Sequence, residues 1–143
     1  METPFPEWLR EIDHTGDLGI EVEAPDLDTL YERAAWGMFA LLTDLRTVAP
    51  RTSERVEVEA DDREALMVRW LSELNYRHLT RRCLYCAFDV ERRTDHRLVA
   101  TVRGEPFDPE RHPLYTEIKA VTFHGLEIRR ADGLWRVRII FDM

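Results

Sequence analysis

Apolar and polar positions alternate from Asp17 to Val22, with Leu18, Ile20 and Val22 turned one way and Asp17, Gly19 and Glu21 the other. That period of two marks a half-buried strand. The period then lengthens: Leu27, Leu30, Tyr31, Ala34, Met38, Leu41 and Leu42 recur at helical spacing. The helix starts at Asp26 or Asp28, and Thr43-Asp44 with the region of Pro50 ends it. Alternation returns over 55–59, a second strand. Asp61-Asp62-Arg63-Glu64 resembles an acidic capping box. It opens a second helix whose Met67, Trp70, Leu71, Leu74 and His78 share one face.

Beyond Cys83 the pattern is that of antiparallel sheet. Leu84, Cys86, Phe88 and Val90 form one stripe, and Leu98, Ala100 and Val102 another, on either side of a turn near Thr94-Asp95-His96. A polar loop over 104–115, holding Pro106, Pro109 and Pro113, leads to a last hairpin with arms 118–130 and 134–141. Between the arms lies Ala131-Asp132-Gly133, and Asp-Gly supplies the positive φ that tight hairpin turns need. Trp135, Val137, Ile139 and Phe141 point one way; Arg136, Arg138, Ile140 and Asp142 point the other. This order of elements predicts an α+β fold, a single domain over 1–143 with two helices packed on a mainly antiparallel β-sheet.

Composition narrows the functional classes. A chain of 143 residues, 44% hydrophobic and 34% charged, suits one soluble domain with a real core. Its densest apolar run, 36–42, is far short of a membrane span. Met1-Glu2-Thr3-Pro4-Phe5-Pro6 has neither a basic region nor an apolar core, so no signal peptide is read and a cytoplasmic location is expected. The net charge of −8 opposes binding to naked nucleic acid and favours a metal ion or a basic protein as partner. Arg81-Arg82 and Arg129-Arg130 are the candidate local basic patches. Lys119 is the only lysine among 20 basic residues, a bias that genome composition or thermal adaptation also produces. Cys83 and Cys86 are spaced C-x-x-C but lack the further ligands of a zinc site. On a strand they point to opposite faces, as two ordinary thiols.

Three stretches are richer in functional groups than folding demands. Asp13-His14-Thr15-Gly16-Asp17-Leu18-Gly19 brings two carboxylates together around small residues, although a capped turn entering a strand uses the same residue types. Ile140-Phe141-Asp142-Met143 ends with a side-chain carboxylate beside the α-carboxylate. Such neighbours repel unless a cation compensates, or unless the end is solvated and frayed. In the third stretch, 117–124, Lys119 alternates with inward Ile118 and projects as a fixed cation, while His124 is a ligand or a hydrogen-bonded structural residue. A hydrolase using Asp13, His14 and Asp17 would need a nucleophile. Ser53 and Ser72 are the only serines, neither in a nucleophile elbow, and no H-E-x-x-H or P-loop is present. A direct RNA-binding or RNA-chaperone module is the other alternative, and the acidic charge disfavours it.

At these stretches the chain resembles the archease family. The family's D-H-T-[AG]-D pattern matches Asp13 to Asp17, E-[IV]-K-A-[VI]-T-[YF] matches Glu117 to Phe123, and a terminal I-[FI]-D-apolar matches Ile140 to Met143. Gly37-Met38-Phe39, Leu42-Thr43-Asp44, Gly104-Glu105 and Arg111-His112 fall in family order between them. Gly16 stands where alanine is usual, Phe123 where tyrosine is usual, and Met143 where a branched residue is usual. The resemblance implies a divalent metal, typically Ca²⁺ with Mg²⁺ or Mn²⁺ as alternatives, bound by Asp17, Asp142 and the carboxylate of Met143. Hard oxygen donors agree with that choice of ion. It gives Asp13 a supporting or turn-forming role and Lys119 contact with the partner or its nucleotide. It further implies a non-enzymatic protein that activates the GTP-dependent tRNA-splicing RNA ligase, promoting its guanylylation and multiple turnover in tRNA splicing and RNA repair. RNA is then contacted indirectly, through the ligase, and no membrane is involved. All of this requires residue 17 to meet residues 142–143 in space.

Overall fold

The computed structural model describes residues 5–14 and 17–143. Its strands are β1 Leu9–His14, β2 Asp17–Ala24, β3 Thr52–Glu59, β4 Cys83–Arg93, β5 Arg97–Pro106, β6 Ala120–Val121, β7 Ile128–Ala131 and β8 Leu134–Asp142. Two helices, α1 Leu27–Leu42 and α2 Arg63–Arg81, separate β2 from β3 and β3 from β4. The strands form two antiparallel sheets, one ordered β1-β2-β8-β6 with β7 also on β8, the other ordered β3-β5-β4.

Local chemistry sets the helices. Asp26 caps α1 by accepting from the Thr29 amide at 2.8 Å, and Asp62 caps α2 by accepting from the Ala65 amide at 2.8 Å. The apolar positions of α1 bury against both β2 and β4, so one helix closes both sheets over a common core. Trp70 of α2 ties the helices together, its Nε1 donating to the Tyr31 carbonyl at 2.9 Å. All five residues assigned to the inner face of α2, Met67, Trp70, Leu71, Leu74 and His78, are buried.

Three expectations need correction. The stretch before Asp17 is a strand, β1, which pairs antiparallel with β2. Among the described side chains of this edge strand only Leu9 enters the core, so its sequence lacks the alternating signature. In β4 the stripe through Leu84, Cys86, Phe88 and Val90 is broken by a bulge. Tyr85 pairs with Gly104 and Ala87 with Arg103, leaving Cys86 as the extra residue. The bulge puts Tyr85 and Phe88 on the same side, where their rings lie 5.6 and 5.7 Å from that of Phe39. Cys83 points its thiol at the Arg77 carbonyl (3.5 Å), and burial raises the pKa of both thiols.

The last hairpin is the third correction. Its first arm is not continuous over 118–130 but splits into β6 and β7. Gly125 adopts φ 64° between them, the Leu126 amide reaches back to the Phe123 carbonyl (3.1 Å), and the local turn outcompetes the ladder. The turn at its tip is as read: Asp132 and Gly133 have φ of 54° and 79°, between the paired Ala131 and Leu134.

Candidate functional site

β2 and β8 are neighbours, with Leu18 opposite Phe141 and Gly19 opposite Ile140. The ladder ends at Leu18 and Phe141, and the next position on each strand is Asp17 on β2 and Asp142 on β8. Ile20, Val22, Ile139 and Phe141 face the helices and are buried, so both aspartates lie on the sheet's helix-free face. β6 adds a third segment: Ala120 pairs with Asp142, and the Lys119 amide donates to the Asp142 carbonyl at 2.8 Å. Residues 17, 119 and 142 therefore converge at one end of one sheet.

This end is held firmly. Phe141 is fully buried, and the Met143 side chain packs partly against the core. Thr122 donates twice to the Ile140 carbonyl, from its amide (3.1 Å) and its hydroxyl (2.9 Å). Asn75 of α2, 4% exposed, donates its Nδ2 to the Ile118 carbonyl at 2.8 Å. The single peptide joining Ile118 to Lys119 is thus gripped from both sides. Ile118 is buried and Lys119 exposed, the alternation read from the sequence, although neither lies in a strand.

The remaining residues separate. Asp13 pairs with Leu18, hence on the opposite face from Asp17, and is exposed. His14 pairs in register with Asp17, whereas Thr15 and Gly16 lie outside the described residues. His124 is exposed, in the turn beyond β6. Of the two arginine pairs, Arg81 is engaged by Glu54 (2.8 Å) and Arg130 lies over the Trp135 ring (5.8 Å), while Arg82 and Arg129 are exposed.

Two cross-strand carboxylates repel when nothing positive lies between them, and a hard cation removes that repulsion. Two aspartates and a terminal carboxylate make an all-oxygen donor set, which fits Ca²⁺, Mg²⁺ or Mn²⁺. Among the described residues no group of three or more His, Cys, Asp or Glu gathers as metal ligands. A site here would rest on two side chains and a main-chain terminus.

A second polar cluster was visible in the sequence only as Gly104-Glu105 and Arg111-His112. His112 Nε2 donates to Glu105 Oε2 at 2.8 Å, while its Nδ1 accepts from the Asp108 amide at 2.9 Å. Both ring nitrogens are occupied and the imidazole is fully buried, so it has no basic nitrogen to offer a substrate. Burial pushes the Glu105 pKa up, but the Ala49 amide, Arg111 and His112 outweigh it and hold the carboxyl down at about 2. Arg51 completes the cage at 3.3 Å. The cluster fastens the segment before β3 and the loop after β5 to the end of β5.

The model of the archease protein family matches residues 9–143. The chain is 37% identical over 137 residues to the protein archease of Methanopyrus kandleri, covering 94% of this chain and 98% of that one. It is 38% identical over 134 residues to that of Methanothermobacter thermautotrophicus, covering 92% and 95%. Among solved structures it is similar to the solution structure of Methanobacterium thermoautotrophicum protein 1598, with TM-score 0.78, 34% identity, and 95% and 99% of the two chains covered. The crystal structure of an archease from Thermotoga maritima, described as a possible chaperone, gives TM-score 0.64 at 18% identity, covering 100% and 98%, a likeness of fold.

Proposed function

Because the chain belongs to the archease family, we propose that it is a non-enzymatic activator of the GTP-dependent tRNA-splicing RNA ligase, promoting its guanylylation and multiple turnover. In this reading Asp17, Asp142 and the α-carboxylate of Met143 hold one divalent cation, Ca²⁺ before Mg²⁺ or Mn²⁺. The observation that supports it is the register of β2 on β8, Leu18 opposite Phe141, which brings the strand positions of Asp17 and Asp142 to the same end of one sheet. A bound cation would supply a fixed positive centre beside the two aspartates.

The protein's own groups have distinct parts. Asp17 and Asp142 present hard oxygens on the helix-free face. Lys119, exposed and anchored through its own peptide, offers a cationic hand to the ligase or to its nucleotide phosphates. A net charge of −8 supports a basic protein as the partner rather than bare RNA. The description of the T. maritima protein as a possible chaperone also supports action on another protein. No described helix is long and apolar enough to cross a membrane.

The test is multiple-turnover RNA ligation by the cognate ligase with and without this protein. Turnover beyond the first cycle should rise in its presence. An unchanged number of cycles per ligase molecule would reject the reading.

A further inference from the structure

We propose that Gly19 is a positioning residue for the carboxylate pair, its missing side chain letting Ile140 fold onto β2 and so holding Asp17 opposite Asp142. The inference rests on reading those two aspartates as metal ligands. Glycine weakens a strand interior, and where one persists it often marks a close approach of a neighbouring chain. A Cβ at Gly19 would lie 2.7 Å from Ile140 Cδ1 and 2.8 Å from the Ile139 carbonyl oxygen, distances that real Cβ atoms do not show. Ile12, paired with Gly19 on β1, flanks the same notch, with its Cβ at 3.6 Å.

The helix-free face makes this notch unusual. Along β2 and β8 on that face, Asp17, Glu21, Glu23, Arg136, Arg138 and Asp142 keep some exposure, and only Gly19 and Ile140 are buried. An isoleucine that no helix covers is thus shielded by lying in the space of a side chain that Gly19 lacks. The notch sits two residues from Asp17 along β2 and two from Asp142 along β8. A side chain there has to lift β8 away from β2, or push Ile140 out, just before the strand delivers Asp142.

Gly37 supplies the control. A Cβ there would meet Leu9 Cδ1 at 2.9 Å and Ile20 Cδ1 at 3.0 Å, also crowded though only by side-chain ends, and between α1 and the helix-facing side of the sheet. Calorimetry with Ca²⁺ and nuclear Overhauser contacts between Asp17 and Asp142 should be measured on the full chain, on Gly19→Ala, on Gly19→Ala/Ile140→Val and on Gly37→Ala. Gly19→Ala should lose the Asp17–Asp142 contacts and bind Ca²⁺ at least about tenfold more weakly. Ile140→Val deletes the Cδ1 atom, so the double variant should recover part of both, and it carries the comparison if the single variant does not fold. Gly37→Ala should lose thermal stability yet keep both site readouts. Retention of contacts and affinity in Gly19→Ala overturns the proposal. If the unaltered chain shows the contacts but binds no Ca²⁺, the metal reading falls, and the contacts alone then judge the role of Gly19.

Discussion

Asn75 holds the carbonyl of Ile118 at 2.8 Å, and its own Oδ1 is buried without a hydrogen-bond partner among the described residues. A half-satisfied amide in the apolar stripe of α2 is costly, so the bond it makes has to compensate. Asn75→Ala should destabilise the protein by about 1–3 kcal/mol, since it strands the Ile118 carbonyl. Hydrogen exchange at the Lys119 amide should speed up with it. Unchanged urea midpoints and unchanged exchange would show that the strap is held by other means.

Removing either carboxylate of the pair tests the metal reading without threatening the core, because both side chains sit on the helix-free face. Asp17→Ala and Asp142→Ala should each abolish Ca²⁺ binding in calorimetry while the circular dichroism spectrum stays native. Extending the C-terminus with a tag should also weaken binding, because it displaces the terminal charge beyond Met143. Equal affinity with and without the tag removes Met143 from the donor set.

Lys119→Ala separates partner contact from ion binding. The backbone bonds of residue 119 survive the substitution, so Ca²⁺ affinity should change by less than about twofold. Stimulation of ligase turnover should fall tenfold or more, which corresponds to at least ~1.4 kcal/mol. Normal stimulation by this variant would remove Lys119 from the functional surface.

Glu105 gives the fold an acid-sensitive point. Its pKa falls from the ordinary 4.5 to about 2 in the folded protein. Its contribution is therefore complete above the unfolded value and is lost as pH drops from about 4.5 towards about 2. Glu105→Gln should flatten the stability profile across that window in denaturant titrations. Glu105→Ala, which leaves the buried His112 Nε2 and the Ala49 amide without their acceptor, should cost about 1–3 kcal/mol. A profile with the same slope in wild type and Glu105→Gln would assign the acid sensitivity to other carboxylates.

Much of this was legible in the residues themselves. Asp26 or Asp28 and the acidic box 61–64 announced both helices, the Asp132-Gly133 pair announced the final turn, and alternation put Asp17 and Asp142 on outward faces. What alternation does not encode is which strand lies beside which. The pairing of β2 with β8 is long-range, and only the structure supplies it. Asp13 shows the same limit: grouped with Asp17 by its spacing, it turns to the other face once Leu9–His14 is a paired strand. The bulge at Cys86 carries no local signature either, since an inserted residue changes parity without changing composition. At 122–127 the patterning misled because Thr122 and Phe123 read as strand residues while Gly125 sets a turn.

The order of strands in the larger sheet bears on how the molecule comes together. β3, β4 and β5 lie within one stretch of chain, whereas β2, paired locally with β1, must wait for its second partner, β8, from the far end, across a stretch that includes both helices. Distant pairings of this kind form slowly, because closure entropy is lost before contacts repay it. The aspartate edge thus takes shape only after the two chain ends have been drawn into one sheet.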